Sequence, residues 1–385
     1  MIELFRIMPG RYASLQDTVA GYQSTGVPLV SYTESNGIGP ILQADGDDWG
    51  AYYIIPKIMD LFGLSLDASL QLLYSGTVVL AFILGSIGSW LYCKTRLGKY
   101  ISILALAMVS LIVAGVGDIY IFLGATVIAL IPWWLYVQEH YGIRGQLIYC
   151  AVAGLFIGFA HLMRNHSATA ALIFIILSML LKNQFSKKFM LAFCSVLLAG
   201  LFIVSISFKS FVVQKSTDYL STLGHTNDSI YHHLFWHNVY FSLGYLDNSY
   251  GIEQSDSFAV KKALSINPKV SLYTPEYEVL LRQETLKVIK THPIFVMNNL
   301  AAKFGVCLMY FLIFANIGII FALYYRKGYM VDLPFAAGIA FSMLFGILTT
   351  PDYTYLLGLF SLATIYGVYS IDFALNQRVL NMREA

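Results

Sequence analysis

Residues 101–137 read ISILALAMVSLIVAGVGDIYIFLGATVIALIPWWLYV. Two apolar runs, 101–115 and 119–137, are parted only by a turn around Gly117-Asp118. An α-helix needs about 20 apolar residues to cross the hydrocarbon of a bilayer, fewer where it extends through polar ends. The pair therefore reads as two membrane helices joined by a tight turn. Working outward, seven further runs follow the same pattern: 70–92, 146–163, 168–182, 189–207, 304–325, 329–349 and 354–371. The chain is expected to be an all-α polytopic membrane protein of about nine spans.

Composition points the same way. Of 385 residues 57% are hydrophobic, 15% aromatic and 12% charged, with a mean hydropathy of +0.66. Soluble domains carry about 25% charge, so 24 basic and 22 acidic side chains cannot clothe a water-exposed enzyme of this size. The net charge of +2 gives no reason to expect a nucleic-acid partner. Cys93, Cys150, Cys194 and Cys307 fall in or beside apolar runs without metal-ligand spacing, as buried helix residues would.

The connections between runs sort by charge. One alternate set carries Lys94, Arg96, Lys99, Arg144, Lys182, Lys187, Lys188, Arg326, Lys327, Arg378 and Arg383. The opposite short turns, 116–118, 164–167 and 350–353, carry only Arg164. By the positive-inside rule the C-terminus is cytoplasmic and residues 1–69 lie outside. Residues 1–69 would then have crossed either unaided or behind a first membrane helix preceding residue 1, and the second reading is preferred. The chain divides into an extracytoplasmic first loop (1–69), a six-helix block (70–207), a large extracytoplasmic loop (208–303) and a three-helix block with a cytoplasmic tail (304–385). The first loop holds a helical stretch at 50–62, and the large loop ends in an amphipathic helix at 275–303.

Ionisable residues near helix mouths are costly and mark function. Here they gather on the outer side: Asp45-Gly46-Asp47-Asp48-Trp49, Gly117-Asp118 with Tyr120, Arg164-Asn165-His166-Ser167, Pro351-Asp352, and His225, His232, His233, His237, Asp247 and Asp256 in the large loop. Each has a plainer reading. Asp47 or Asp48 would cap the helix beginning near Trp49, Asp118 would be a solvated turn residue, and Arg164 would snorkel to lipid phosphate. Read together, carboxylates facing Arg and His at a lipid–water boundary suit transfer of a sugar from a polyprenyl-phosphate donor. A carboxylate takes the proton of the attacking hydroxyl, and a cation steadies the departing phosphate. An O-antigen polymerase or ligase is a second reading, weakened because Arg282 is the sole arginine of 208–303. A lipid-linked sugar transporter is a third, weakened by span interiors nearly free of charge.

Three features resemble the GT-C superfamily of integral-membrane glycosyltransferases, in the broad mannosyltransferase, oligosaccharyltransferase and aminoarabinose-transferase group. They are the acidic cluster 45–48 in the first outer loop, the small-residue helix ending in arginine at Gly154–Arg164 (GLFIGFAHLMR), and the large outer loop after six spans. Trp236-His237-Asn238-Val239-Tyr240 with Leu243-Gly244, and Thr291-His292-Pro293 followed by Asn298 and Lys303, add weaker similarity. The family's first membrane helix has no counterpart in this sequence. The resemblance implies a GT-C-like bundle in a bacterial inner membrane, with its active site facing the periplasm. It implies Asp47 or Asp48 as base, with Asp118 as a second acidic position. Arg164, His166 and Lys303 would bind the donor phosphate, and Asp45, Trp49, Tyr52, His237 and Tyr240 would contact substrate. The acceptor would be a lipid, glycan or protein. Some members use a divalent cation: Asp45, Asp47, Asp48 and Asp118 could hold Mg²⁺ or Mn²⁺, and the histidines Zn²⁺.

Overall fold

The computed structural model describes residues 9–41, 48–181, 187–225, 234–325 and 328–384. Chain order begins outside the bundle, with helix α1 (Pro9–Thr25), a short antiparallel hairpin of β1 (Val30–Thr33) and β2 (Gly37–Pro40), and α2 (Trp49–Phe62). The first block follows as α3 (Leu66–Tyr92), α4 (Arg96–Ala114), α5 (Ile121–His140), α6 (Ile143–Met163), α7 (Thr169–Leu181) and α8 (Lys187–Phe208). Among the described residues eight helices are long and apolar enough to cross a membrane. The expected run 168–182 is a shorter helix, α7, of 13 residues, about 20 Å at 1.5 Å per residue. The chain is an integral-membrane helical bundle.

Residues that can satisfy helix ends locally mark several boundaries. Ser65 caps α3 by accepting from the Ala68 N–H, and Thr95 caps α4 by accepting from that of Gly98 at 2.9 Å. Small residues set how closely the helices approach, as they do where lipid offers no hydrophobic drive. Gly154 of α6 and Gly200 of α8 abut backbone to backbone; a Cβ on Gly154 would lie 2.3 Å from the Leu197 carbonyl oxygen. Outward faces remain apolar, with Val79, Ile83 and Ile87 of α3 and Leu104, Met108 and Leu111 of α4 exposed at helical spacing, as a lipid-facing surface requires. The α5 helix is apolar all round and almost wholly enclosed, which makes it an axis of the bundle.

Past α8 the helix continues through a π-helical turn (Lys209–Val213) into α9 (Gln214–Thr222). From Lys188 to Thr222 this rod spans 35 residues, about 52 Å, against about 30 Å of hydrocarbon. The expected large loop thus opens with a continuation of α8, in a rod about 20 Å longer than the hydrocarbon is thick. The loop then folds on itself as α10 (Phe235–Ser242), α11 (Asp256–Ile266) and α12 (Pro275–Thr291), around a small core of Leu234, Tyr240, Ala259, Ala263, Tyr277 and Leu281.

Two expected boundaries change. The stretch 275–303 breaks at His292-Pro293, because Pro293 has no N–H to continue α12; it opens α13 (Pro293–Ala315) instead. The run 304–325 breaks at Asn316, whose φ of 51° lies in the left-handed region, and resumes as α14 (Gly318–Tyr325). Then come α15 (Tyr329–Leu348) and α16 (Leu357–Glu384). The α16 helix is the second enclosed element, and its Asp372 accepts from the Lys94 N–H (2.9 Å) and the Thr95 N–H (3.0 Å) at the start of α4.

Candidate functional site

Four charged side chains from four separate stretches meet at one end of the bundle. Arg11 comes from the first turn of α1, Asp48 from the residue before α2, Asp118 from the turn between α4 and α5, and Arg164 from the residue after α6. Asp48 and Asp118 are 0% and 2% exposed, so their charges are strongly desolvated and require partners. The Arg11 Nε donates to Asp118 Oδ1 at 2.9 Å, and its Nη1 donates to Asp48 Oδ2. The Arg164 Nη1 donates to Asp48 Oδ1 at 3.0 Å. One carboxylate therefore has an arginine on each oxygen, and one arginine bridges two carboxylates.

Local structure explains the convergence. Gly50 lets the start of α2 lie on the end of α6: a Cβ there would sit 2.7 Å from the Leu162 carbonyl oxygen, so only glycine brings Asp48 this near Arg164. Asp48 occupies the N-cap position of α2, yet its side chain makes no capping bond; both oxygens go to the arginines. Gly117, at φ 60°, turns the chain so that Asp118 points inward, where its Oδ1 also accepts from the Ile119 N–H at 2.6 Å. The plainer readings of Asp48 as a cap, Asp118 as a solvated residue and Arg164 as a lipid-facing anchor do not describe this geometry.

Tyr120 roofs the group. Its ring centroid lies 4.7 Å from the Arg164 guanidinium carbon and 5.9 Å from that of Arg11, and its hydroxyl donates to Tyr355 at 3.2 Å. Burial opposes the charge on Arg11, but Asp118, Tyr120 and Tyr52 more than restore it, and its pKa stands above the ordinary guanidinium range. Burial, reinforced by Tyr120, lifts the Tyr355 hydroxyl well above the usual tyrosine range, so it meets any ligand as a neutral group.

A cavity of about 260 Å³ opens beside this clamp. Its polar end is formed by Arg164, Asn165, His166 and Tyr355. Its wall is a stripe of α15, Phe341, Leu344, Phe345 and Leu348, spaced so that all four share one helix face. Leu344 on that face is 45% exposed, and Phe235, Asn238 and Val239 of α10 also line the cavity. His166 is held at a φ of 61°, a strained conformation of the kind that collects at ligand clamps.

The remaining expected residues fall elsewhere. Asp45 and Asp47, like His232 and His233, lie outside the described residues. Trp49 is half-buried at the start of α2, and Tyr52 is buried beneath the clamp and among the groups acting on Arg11. Lys303 of α13 is 1% exposed, and its ammonium donates to the carbonyls of Ser242 (2.7 Å) and Thr349 (2.8 Å). It thereby caps the C-terminal ends of α10 and α15, where helix dipoles favour a cation, and fixes the Thr349 rim of the cavity. His237 and Tyr240 belong to the core of the outer loop. The two His237 ring nitrogens face the Tyr277 hydroxyl and Asp256 Oδ1 (3.0 Å), and Glu278 accepts from the Trp236 and His237 N–H groups to seat α10. Among the described residues no group of three or more His, Cys, Asp or Glu could hold a metal ion. Sequence reasoning missed Arg11 and Tyr355; the signal for Arg11 was a lone cation between Arg6 and Asp17.

No family model matches this sequence, and no curated protein matches it. Among solved structures, the chain is similar to ArnT from Cupriavidus metallidurans in the apo state. The identity is 12% and the TM-score 0.39, over 96% of this chain and 73% of that one. A likeness of that size carries no argument about chemistry, which rests on the geometry.

Proposed function

We propose that this chain is a GT-C-type glycosyltransferase that moves a sugar from a polyprenyl-phosphate donor to a hydroxyl of a lipid, glycan or protein at the extracytoplasmic face, in a bacterial inner membrane. The observation that carries the reading is the cavity, which an apolar face of α15 shares with Arg164 and His166. An apolar stripe suits a prenyl chain and an arginine suits a phosphate, and both line this one cavity. The proposed sidedness rests on the positive-inside bias of the connecting segments in the sequence.

The ion pairs supply a mechanism. In the present arrangement both Asp48 oxygens are held by arginines. An arriving donor phosphate competes for Arg164, which draws the guanidinium toward the cavity and frees Oδ1 of Asp48; Arg11 keeps the other oxygen in place. The freed oxygen accepts the proton of the acceptor hydroxyl as that oxygen attacks the anomeric carbon. The bond from the anomeric carbon to the phosphate oxygen breaks, and the electron pair leaves on the phosphate. Arg164 and His166 stabilise that developing charge. Asp118 holds Arg11 and so positions the base from behind.

The test uses the full chain in lipid nanodiscs with a photoreactive short-chain prenyl phosphate. Labelling should map to the 341–348 stripe. Arg164→Gln should weaken binding about ten- to hundredfold, the value of a charge-assisted hydrogen bond. Unchanged affinity in Arg164→Gln, with labelling elsewhere, would remove the reading.

A further inference from the structure

A second cavity differs in character from the first. It measures about 320 Å³ and lies between α1, the β1–β2 hairpin and the end of α9. Ser14, Asp17, Ser31, Thr33, Asn36 and His225 line it, so hydroxyls, an amide, an imidazole and a carboxylate all face one space. The space is built into the fold. Ser216 of α9 donates to the Leu29 carbonyl at 2.9 Å, and Leu220 packs on Val27 and Val30, which pins the hairpin against the rod. The rod is roughly 20 Å longer than the hydrocarbon is thick, and a cleft at its far tip with so polar a lining suits water and not lipid tails.

Chemistry narrows the occupant. A phosphate would meet the Asp17 carboxylate and no Lys or Arg among the described lining residues. A hard cation wants six to eight oxygens, several of them anionic, and the described lining offers one carboxylate. A molecule carrying several neutral hydroxyls suits a mixture of donors and acceptors on every wall, and about 320 Å³ lies at the small end of ligand pockets, ~300–1,000 Å³. Position supplies a role. Ser14 follows Arg11 by three residues on α1, so the cleft begins about 4.5 Å along the helix from the clamp. We propose that this cleft binds the sugar headgroup of the acceptor, presenting a hydroxyl toward Asp48. The acceptor role rests on the transferase reading; the sugar site itself does not.

The experiment is saturation-transfer NMR on the full chain in nanodiscs, with methyl glucoside, methyl mannoside and methyl galactoside as probes. Binding of a short-chain prenyl phosphate is measured in parallel. Asp17→Asn should weaken binding of the preferred glycoside about tenfold, and Ser14→Leu, which fills the cleft, should abolish it. Both variants should hold prenyl phosphate as the parent does, which shows that they fold. Absence of glycoside binding in the parent, binding that neither variant alters, or competition by inorganic phosphate or Mg²⁺ would overturn the proposal. Glycoside binding that follows Asp17, beside prenyl-phosphate binding indifferent to Arg164→Gln, would sink the donor reading while the sugar site stands.

Discussion

Arg11 reaches two buried carboxylates with two different nitrogens, and this double attachment has a measurable size. Its side chain is 15% exposed, against 0% for Asp48 and 3% for Asp118, so solvent screens the group only partly. Arg11→Gln would leave Asp118 with its backbone N–H partner, Ile119, but without the cation that bridges it. Stranding a buried carboxylate costs about 3–5 kcal/mol, a large share of a stability that is typically ~5–15 kcal/mol. Arg11→Lys keeps the charge but not the fork, and a single ammonium cannot reproduce both bonds. That variant should lose about one charge-assisted hydrogen bond, ~1.5–3 kcal/mol. Combining Arg11→Gln with Asp118→Asn removes the stranded charge, so the double variant should be more stable than the sum of the single losses by about 1–3 kcal/mol. Equilibrium unfolding in mixed micelles would rank the parent, Arg11→Gln, Arg11→Lys, Asp118→Asn and the double variant. Lysine equal to arginine, or strict additivity in the double variant, would refute the bridging role.

Gly50→Ala should push α2 off the end of α6, costing about 1–3 kcal/mol by overpacking. It should also weaken prenyl-phosphate binding, read by melting temperature and photolabelling on one sample. Leu344→Trp should fill the apolar side of the cavity beside Arg164. Because Leu344 is already 45% exposed, the variant's melting temperature should hold while the KM for long-chain donors rises. Cysteine at exposed Ser221 should react with an impermeant maleimide in intact cells, and cysteine at Tyr141 only after permeabilisation, since these positions lie at opposite ends of the bundle. Cys93, Cys150 and Cys307 are buried and should give little background.

The spans were readable because apolar length alone decides whether a helix can cross lipid. Length is blind to internal stops, however. Asn316 and Gly318 carry an ordinary helix-ending signal, but one polar residue in an apolar run of 22, 304–325, is too brief a dip to divide the run. Pro293 was visible in the sequence, and its break was hidden because both sides of it are helical. At the clamp, Asp48, Asp118 and Arg164 stood out because charge is scarce at helix mouths. Arg11 did not, since its segment has no apolar periodicity to mark it as ordered and its partner Asp118 is 107 residues away. Tyr355 was one of 27 tyrosines, and only its contact with Tyr120, 235 residues back, sets it apart. Long-range pairing of this kind leaves no local trace.

That pairing also imposes an order in time. The α16 helix is synthesised after every other element of the chain described here, yet it sits enclosed among helices made far earlier. Its Tyr369 bonds Ser89 at a separation of 280 residues, and its Asp372 reaches Lys94 and Thr95 at nearly the same remove. Until it inserts, α3 and α4 must wait in the bilayer with those hydroxyl and amide groups unmatched, and α5 must wait without one wall. A ribosome that stalls before residue 357 would release a chain whose spans are all but complete and whose centre is open.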